Sequence, residues 1–521
     1  MTAVIPQVDC CHSATRCGLG TCFRLLIGIH TMKSFCSSAA SVFLLMSLIF
    51  SSGCRYTVGQ VVASISNTGK DTSARTLQIL SMPVDSFDIS YRDVAIKSVR
   101  SFYESRQERL FWISGFNRLE RADSLITFIG KVRYFGLSPD DYHVVEINVL
   151  KDKLSSVESV CRLEALLTDA YFTISRHITF GKGNGSTELA DSLAVSSLER
   201  YSKGGGLNEN ITAGEPSFSG YRLLKHGLGQ LLDSLATDQR NAVLLNFSMV
   251  RDDIRRRIES VEINLERWRS EKHSFGSRYI LINIPAFMLY LVENDSVILE
   301  SRVIVGTSET PTPEISSTID CFITYPYWHV PRKIAVEEYL PLIQQDTSFV
   351  DRNNFDVLDK RGNLLQADSL DWKSFSKSYF PVSLRQREGE ENSLGILKFI
   401  FDNPYAVFLH DTNVKRLFRS KVRAFSHGCI RMEKAVELAH YLVTDDPNKK
   451  SKYVERFLKE ESMHWIELRK PIPIFVRYYT CDFDNHRLRY YDDIYRKDSS
   501  VSSQLYRGID TTDFGFENDL H

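Results

Sequence analysis

The sequence predicts an α+β protein in which a helical N-terminal region precedes a mostly β region. In the first region apolar residues recur every three or four positions, as the buried face of a helix requires, and the clearest example runs from Leu163 to Ile174. From Tyr279 the pattern changes to short runs rich in β-branched and aromatic residues. The chain has 521 residues, more than one hydrophobic core usually supports, so two or three domains are expected.

Composition excludes several classes of function. The 64 Lys and Arg residues almost balance 65 Asp and Glu residues, so no nucleic-acid-binding surface is expected. The apolar content is that of a folded globular protein. Six of the ten cysteines lie within the first 54 residues, which is not the spacing of a disulfide framework. A single thiol near histidines is therefore better interpreted as reactive.

The N-terminus is predicted to carry an export signal. After Met32-Lys33, the apolar stretch 39–50 ends in Ser51-Ser52-Gly53-Cys54. A cationic tip, a short apolar core and small residues before a cysteine resemble a bacterial lipoprotein signal, in which Cys54 becomes the acylated N-terminus. Residues 1–54 are predicted as leader and signal, with 1–31 a mis-assigned start or an extended leader. The alternative is that the segment stays uncleaved and serves as a membrane anchor. In either case we expect an exported protein, located in the periplasm of a Gram-negative-type envelope and anchored to a membrane.

A linker and a helical domain follow. Residues 55–90 are rich in Ser and Thr without sustained periodicity, as a tether would be. Residues 91–270 contain amphipathic helical patterns, the last of them a charged helix from Ile254 to Trp268. Lone histidines in this region, His143 and His177, are assigned no catalytic role.

The C-terminal region is predicted to be a β domain with an insertion. The segment YILINIPAFMLYLVENDSVILESRVIVG predicts a three-stranded meander, and TPTP at 310–313 a stiff loop. Residues 331–385 are charged, partly helical and longer than a sandwich connection needs, which is typical of a lid beside an active site. The catalytic domain is predicted over 271–498, and 499–521 as a flexible tail.

One cysteine and two histidines form the chemical centre. Apolar runs predict that His410 ends one strand and that Cys429 lies on or beside another. A cysteine attacks as the thiolate, which a nearby imidazole can generate. His427 is closer in sequence, but side chains two apart on one strand project side by side, whereas an imidazole facing the thiol comes from a partner strand. Spacing alone leaves the choice open.

These motifs resemble the YkuD-type L,D-transpeptidases. The signature is a histidine followed about one strand and loop later by Ser-His-Gly-Cys, and LHDTN leading to RAFSHGCIRM resembles the longer, YcbB-like branch. FYESRQERLFW and GLSPDDYH resemble the scaffold domain of that branch, and YPYWHVPRKIA its NPYWNVPRSIA motif, with His329 where asparagine is usual. The branch's small peptidoglycan-binding module has no counterpart here. The resemblance implies a mostly β, sandwich-like catalytic domain with a capping subdomain at about 331–385.

The resemblance also implies roles for individual residues. Cys429 would be the nucleophile, and His410 the proton donor and acceptor, oriented by a backbone carbonyl near Asp411. The remaining supporting residues near the thiol, the oxyanion or the substrate are His427, Gly428, Ser426 and Arg431. The aromatic residues expected either to line the cleft or to fill the core are Tyr325, Tyr327 and Trp328.

The implied reaction is peptidoglycan cross-linking. Cys429 would attack the bond between stem residue 3, often diaminopimelate, and D-alanine 4, and pass the acyl group to an amine of a second stem. No cofactor is expected, the partners are stem peptides, and a monomer is expected. Acylation of the thiol by carbapenems is a further expectation.

Four alternatives stay open. Cys429 could be an inert core thiol, or a zinc ligand together with His410 and His427. The acceptor could be water, giving an L,D-carboxypeptidase or endopeptidase. Finally, the chain could be a catalytically silent wall-binding protein.

Overall fold

The computed structural model describes residues 99, 101–103, 110–113, 119–154, 157–183, 188–239, 252–444, 451–484 and 486–506. Two compact units are present, one reaching Ile126 and including His143–Ala170, the other formed by Thr127–Tyr142 and Tyr171–His521. The predicted signal with Cys54 and the linker 55–90 lie outside the described residues. Within the described residues, no helix combines the length and apolar character needed to cross a bilayer.

Helices dominate the N-terminal part, as their apolar spacing predicts. Three of them are α1 (Glu120–Lys131), α2 (Val144–Asp152) and α3 (Val157–Phe180). In the first unit, the buried carboxylate of Glu164 accepts hydrogen bonds from the Trp112 and Ile113 amides at 2.9 and 3.2 Å. These bonds compensate the cost of burying the carboxylate. They also attach the irregular segment that contains Trp112 and Ile113 to helix α3.

The second unit continues with four helices, and the last two of them pack on its β domain. These are α4 (Glu188–Ser202), α5 (Leu207–Ile211), α6 (Ser219–Gln239) and α7 (Asp252–Arg269). The apolar faces of α6 and α7 meet, Leu228 and Leu265 being fully buried in their shared core. Trp268 stacks on Tyr479 at 4.4 Å between ring centroids. The helix predicted from Ile254 to Trp268 is therefore present and anchors the β domain.

Fifteen strands are present in the described part of the chain. They are β1 (Arg278–Asn283), β2 (Met288–Glu293), β3 (Ser296–Gly306), β4 (Ile315–Thr324), β5 (Trp328–His329), β6 (Phe355–Leu358), β7 (Leu364–Leu365), β8 (Ser383–Gln386), β9 (Leu397–Phe401), β10 (Leu409–His410), β11 (Ala424–Ser426), β12 (Ile430–Met432), β13 (His464–Arg477), β14 (Cys481–Asp484) and β15 (Arg487–Tyr490).

Nine strands form one sheet that closes on itself. Their order is β11-β3-β12-β10-β9-β4-β13-β1-β2, and β2 pairs again with β3. The first half of the long strand β3 pairs with β2, whereas Val303 and Ile304 near its end pair with β12. Closure leaves few unpaired edges and encloses an apolar core that includes Ile282, Phe322 and Leu409. Together with the N-terminal helices, this sheet confirms the α+β prediction.

Residues 328–386 form a separate layer with its own core. Its helical segments are α8 (Arg332–Ile334), the π-helical turn Ala335–Tyr339, α9 (Leu340–Gln345) and α10 (Phe349–Arg352). A separate four-stranded sheet has the order β5-β8-β6-β7. Trp372, Ile343 and Phe355 are buried between these elements. We refer to this layer as the cap.

The chain then returns to the main core through α11 (Ala435–Val443) and α12 (Ser451–Lys459). Leu438 and Leu442 of α11 are buried against the main sheet, on the face that the sequence predicts.

The C-terminal segment corrects one prediction. Residues 499–505, predicted as part of a flexible tail, belong to helix α13 (Asp498–Leu505). Leu505 is 3% exposed, and Asp498 forms an ion pair with Arg267 of α7 at 2.8 Å. The Ser-rich composition is misleading because a single buried leucine and one ion pair hold the helix on α7.

Candidate active site

Strand pairing brings His410 and Cys429 to the same place. β10 and β12 are parallel neighbours, with Leu409 opposite Ile430 and His410 opposite Arg431. The Ile430 amide donates to the Phe408 carbonyl at 2.9 Å. Cys429 immediately precedes β12, so its position beside the end of β10 follows from this register.

The His410 ring is held in one tautomer. Its Nδ1 lies 2.5 Å from the Asp411 backbone oxygen, and because a carbonyl only accepts, Nδ1 carries the proton and Nε2 is left as an acceptor. Burial, then the Arg431 charge, lower the pKa of His410 to about 3, although backbone bonds to Asp411 and Leu394 oppose the shift. The ring is therefore neutral at physiological pH and can accept a proton at Nε2.

The Cys429 thiol has a raised pKa. Burial is the main cause, and the Phe408 amide, Lys398 and Arg431 each oppose it. Its Sγ lies 3.9 Å from the Ala406 carbonyl oxygen. At rest the sulfur consequently carries its proton, and the thiolate forms only when a base removes it.

The turn before Cys429 is closed by a serine hydroxyl. Ser426 Oγ donates to the Cys429 carbonyl at 2.5 Å and accepts from the Gly428 amide at 3.2 Å. Gly428 has a φ of 107°, a conformation that side-chain-bearing residues rarely adopt. The Ser-His-Gly sequence thus sets the backbone that presents the thiol.

The stiff loop at 310–313 supports this turn. Thr312 Oγ1 donates to the Gly428 carbonyl at 2.9 Å and accepts from the Gly306 amide at 2.9 Å. The Tyr495 hydroxyl accepts from the Thr312 amide at 3.1 Å and donates to the Gly306 carbonyl at 2.7 Å. Sequence analysis missed Thr312 and Tyr495, because no local pattern connects these distant residues to the cysteine turn.

His427 points to the cap. Its Nε2 lies 2.6 Å from Glu338 Oε1, and both side chains are about half exposed, at 47% and 46%. Glu338 belongs to the π-helical turn of the cap. His427 therefore connects the cysteine turn to the cap, and sequence analysis had no signal for this contact.

Asp411 contributes through both its backbone and its side chain. Its carbonyl fixes the His410 ring. Its carboxylate accepts from the Ile396 amide at 3.2 Å and forms an ion pair with Lys415. The side chain therefore braces the backbone around β10.

The three predicted cleft aromatics make packing contacts. Tyr325 is 4% exposed. The Arg385 guanidinium lies 4.7 Å from the centroid of the Tyr327 ring. Trp328 meets Tyr339 edge to face, with 6.2 Å between centroids. These contacts favour the core-filling alternative for Tyr325 and Trp328.

The zinc alternative gains no support from the geometry. Across the described part of the chain, no three His, Cys, Asp or Glu side chains come together as a group that could hold a metal ion.

Comparison with known proteins agrees with this geometry. Residues 277–449 match the family model YkuD, described as the L,D-transpeptidase catalytic domain. The chain carries an L,D-transpeptidase domain. Residues 97–228 match the model described as the scaffold domain, so the order of domains that the resemblance predicted is confirmed.

A relative supports the same assignment. A Haemophilus influenzae protein named "Putative L,D-transpeptidase" is 33% identical over 223 residues. The match covers 43% of this chain and 45% of the relative, so the chain spans less than half the length of that relative.

The L,D-transpeptidase domain contains one further feature that sequence analysis missed. Lys398 of β9 lies directly opposite His410, and its charge acts on the Cys429 thiol. The register of two short strands determines this position, which spacing along the chain could not indicate.

Proposed function

We propose that this chain cross-links peptidoglycan by cysteine acyl transfer, acting as an L,D-transpeptidase on stem peptides. The observation that carries the proposal is a neutral His410, fixed through Nδ1 by the Asp411 carbonyl, on the strand beside Cys429. A thiol with a raised pKa needs such a base. The L,D-transpeptidase domain match supports the reaction class.

The first half-reaction forms a thioester. Nε2 of His410 removes the Cys429 proton, and the sulfur attacks the carbonyl carbon of stem residue 3. The tetrahedral intermediate carries a negative oxygen, for which the Cys429 amide is the proposed donor, the Gly428 amide being engaged by Ser426. As the carbon–nitrogen bond breaks, His410 returns the proton to the nitrogen and D-alanine leaves.

The second half-reaction transfers the acyl group. An amine of a second stem attacks the thioester carbonyl, and His410 accepts the amine proton. The carbon–sulfur bond then breaks, and the sulfur recovers the proton from His410. The product is a cross-link. With water in place of the amine, the same residues would perform the carboxypeptidase or endopeptidase reaction.

Product analysis tests this proposal. The purified chain is incubated with a disaccharide tetrapeptide, and the products are identified by mass spectrometry. Cross-linked dimers with released D-alanine are the expected result. Tripeptides alone would indicate a hydrolase, and unchanged substrate with a folded protein would indicate a wall-binding protein. Carbapenem acylation of Cys429, seen as a mass shift of the intact protein, is a second expected result.

The proposed setting is the periplasm. We propose that Cys54 is acylated after export and that the lipid holds the enzyme at a membrane near its substrate. The proposal is supported by the apolar stretch and small residues that precede Cys54.

A further inference from the structure

Two cationic side chains flank His410 on the neighbouring strands. Lys398 of β9 is opposite His410 in the antiparallel pairing. Arg431 of β12 is opposite it in the parallel pairing. Residues directly opposite one another project from the same face of a sheet. Lys398, His410 and Arg431 therefore form a row across three strands.

Neither cation has a carboxylate partner in the described part of the chain, where no Asp or Glu forms an ion pair with Lys398 or Arg431. The Lys398 ammonium lies over the Phe408 ring, 3.7 Å from its centroid. Arg431 Nε is buried and has no hydrogen-bond partner among the residues that the structure describes. Cationic groups withdrawn from water without a counter-ion cost free energy, so this arrangement suits an anionic ligand.

Among the described residues, the groups that act electrostatically on Arg431 do not supply that anion at rest. The thiol of Cys429 carries its proton because burial raises its pKa. On the cap side, the group that acts electrostatically on Arg431 is the Tyr339 phenol, whose pKa is raised to about 12 by burial. Both groups are neutral at physiological pH.

We propose that Lys398 and Arg431 form a subsite for the terminal carboxylate of the acyl donor. This inference rests on the proposed function. In a tetrapeptide donor, the nitrogen of the bond to be broken and the terminal carboxylate are attached to the same carbon. A donor whose carbonyl lies at Cys429 therefore places its carboxylate near the thiol, where the two cations lie.

The subsite predicts selection of donors with a free C-terminus. Masking the carboxylate as an amide removes its charge and leaves a neutral carbonyl oxygen, which accepts weaker hydrogen bonds from the cations. Hydrogen bonds to charged groups are typically worth roughly tenfold to a hundredfold in affinity. The acid form of a tetrapeptide should bind better than its C-terminal amide by about that factor.

Binding is measured by calorimetry with the full chain carrying Cys429→Ala, which prevents turnover. The two ligands are disaccharide tetrapeptide and its C-terminal amide. The acid is expected to bind at least about tenfold more tightly. Adding Lys398→Met or Arg431→Gln should reduce this preference, whereas Lys398→Arg should keep most of it. Lys421→Met, an exposed cation outside the row, is the matched control and should change nothing.

Three outcomes would overturn the subsite. They are equal affinity for acid and amide, an unchanged preference in both the Lys398→Met and Arg431→Gln proteins, and no measurable binding of either peptide. Circular dichroism spectra verify that each variant is folded, and the Lys398→Arg protein keeps the test valid if Lys398→Met does not fold.

Turnover by the wild-type chain separates the two proposals. Loss of the cations should raise KM for the acid donor and leave KM for the amide donor nearly unchanged. An equal loss with both donors would mean that the cations act only on the thiolate, which contradicts the subsite but not the proposed function. Preferential binding of the acid without any acyl transfer would contradict the proposed function and keep the subsite.

Discussion

At the scale of single residues, the site combines a neutral base with a protonated thiol. His410 and Cys429 could be found from sequence because each lies in a short contiguous motif, LHDTN or SHGC. Lys398 could not, since its position opposite His410 depends on strand register. Thr312 could not either, because its bond to Gly428 joins distant parts of the chain.

The pKa shifts predict how Cys429 responds to pH. Burial raises its pKa above the ordinary thiol range, so the thiolate fraction should still be rising at about pH 8.5, the ordinary thiol pKa. The pKa of His410 is about 3, so no step should appear at about pH 6.5, where an ordinary histidine titrates. The rate at which iodoacetamide alkylates Cys429 is measured from below about pH 6.5 to above about pH 8.5. Peptide mass mapping then identifies the alkylated residue.

The matched control is Cys321→Ser, which removes a thiol of strand β4, two strands away from β10 in the same sheet, and should leave the Cys429 profile unchanged. A rate that reaches its plateau below neutral pH would show that Cys429 is a thiolate at rest and contradict this description.

At the scale of elements, the loop at 310–313 holds the cysteine turn in place. Sequence predicts that this loop is stiff, from its alternating prolines, but not what it supports. Its central contact is Thr312, which is 1% exposed and bridges Gly306 and Gly428.

Thr312→Val should weaken both the fold and the reaction. Valine has nearly the same shape but cannot bond to the Gly306 amide or the Gly428 carbonyl, and leaving buried groups unpaired costs about 1–3 kcal/mol. We expect the free energy of unfolding to fall by about that amount, with a slower alkylation of Cys429 because the turn is less well fixed. Denaturant titration and alkylation kinetics measure the two effects.

Thr318→Val is the control, because Thr318 is a partly exposed residue of β4. Equal stability of the Thr312→Val protein and the wild type would contradict the supporting role of the loop.

Helix α13 provides a second test at this scale. Leu505 is 3% exposed, and truncating a buried leucine to alanine typically costs about 2–5 kcal/mol. Leu505→Ala should lower the free energy of unfolding of the second unit by an amount near the lower end of that range, because Leu505 is the buried residue of a short helix. Thermal unfolding followed by circular dichroism provides the measurement.

The control is Ser503→Ala, because Ser503 lies on the exposed side of the same helix. This substitution should change the free energy of unfolding by less than about 0.5 kcal/mol. If both variants unfold at the wild-type temperature, α13 does not stabilise the unit and the predicted flexible tail would be the better description.

At the scale of the whole molecule, sequence was sufficient for the order of domains and the fold class. Helical spacing and β-rich runs are patterns of many residues, so one untypical residue does not change the predicted element. Closure of the sheet through β2 and β3 could not be predicted, because it depends on one long strand pairing with different partners along its length. The lipid anchor at Cys54 stays a prediction.

The anchor can be tested in a Gram-negative-type host. We expect the full chain to incorporate labelled palmitate and to sediment with membranes, and Cys54→Ser to abolish both. Cys36→Ser, which changes a cysteine outside the signal's cleavage site, should have no effect. Membrane association and labelling that persist in the Cys54→Ser protein would favour an uncleaved anchor.

The most direct test of the account is the acyl-enzyme itself. The full chain is mixed with a disaccharide tetrapeptide and its intact mass is measured, followed by peptide mapping of the modified residue. We expect a mass gain equal to the donor lacking D-alanine, located on Cys429 and absent from the Cys429→Ala protein. The same mass gain on another residue, or in the Cys429→Ala protein, would contradict it.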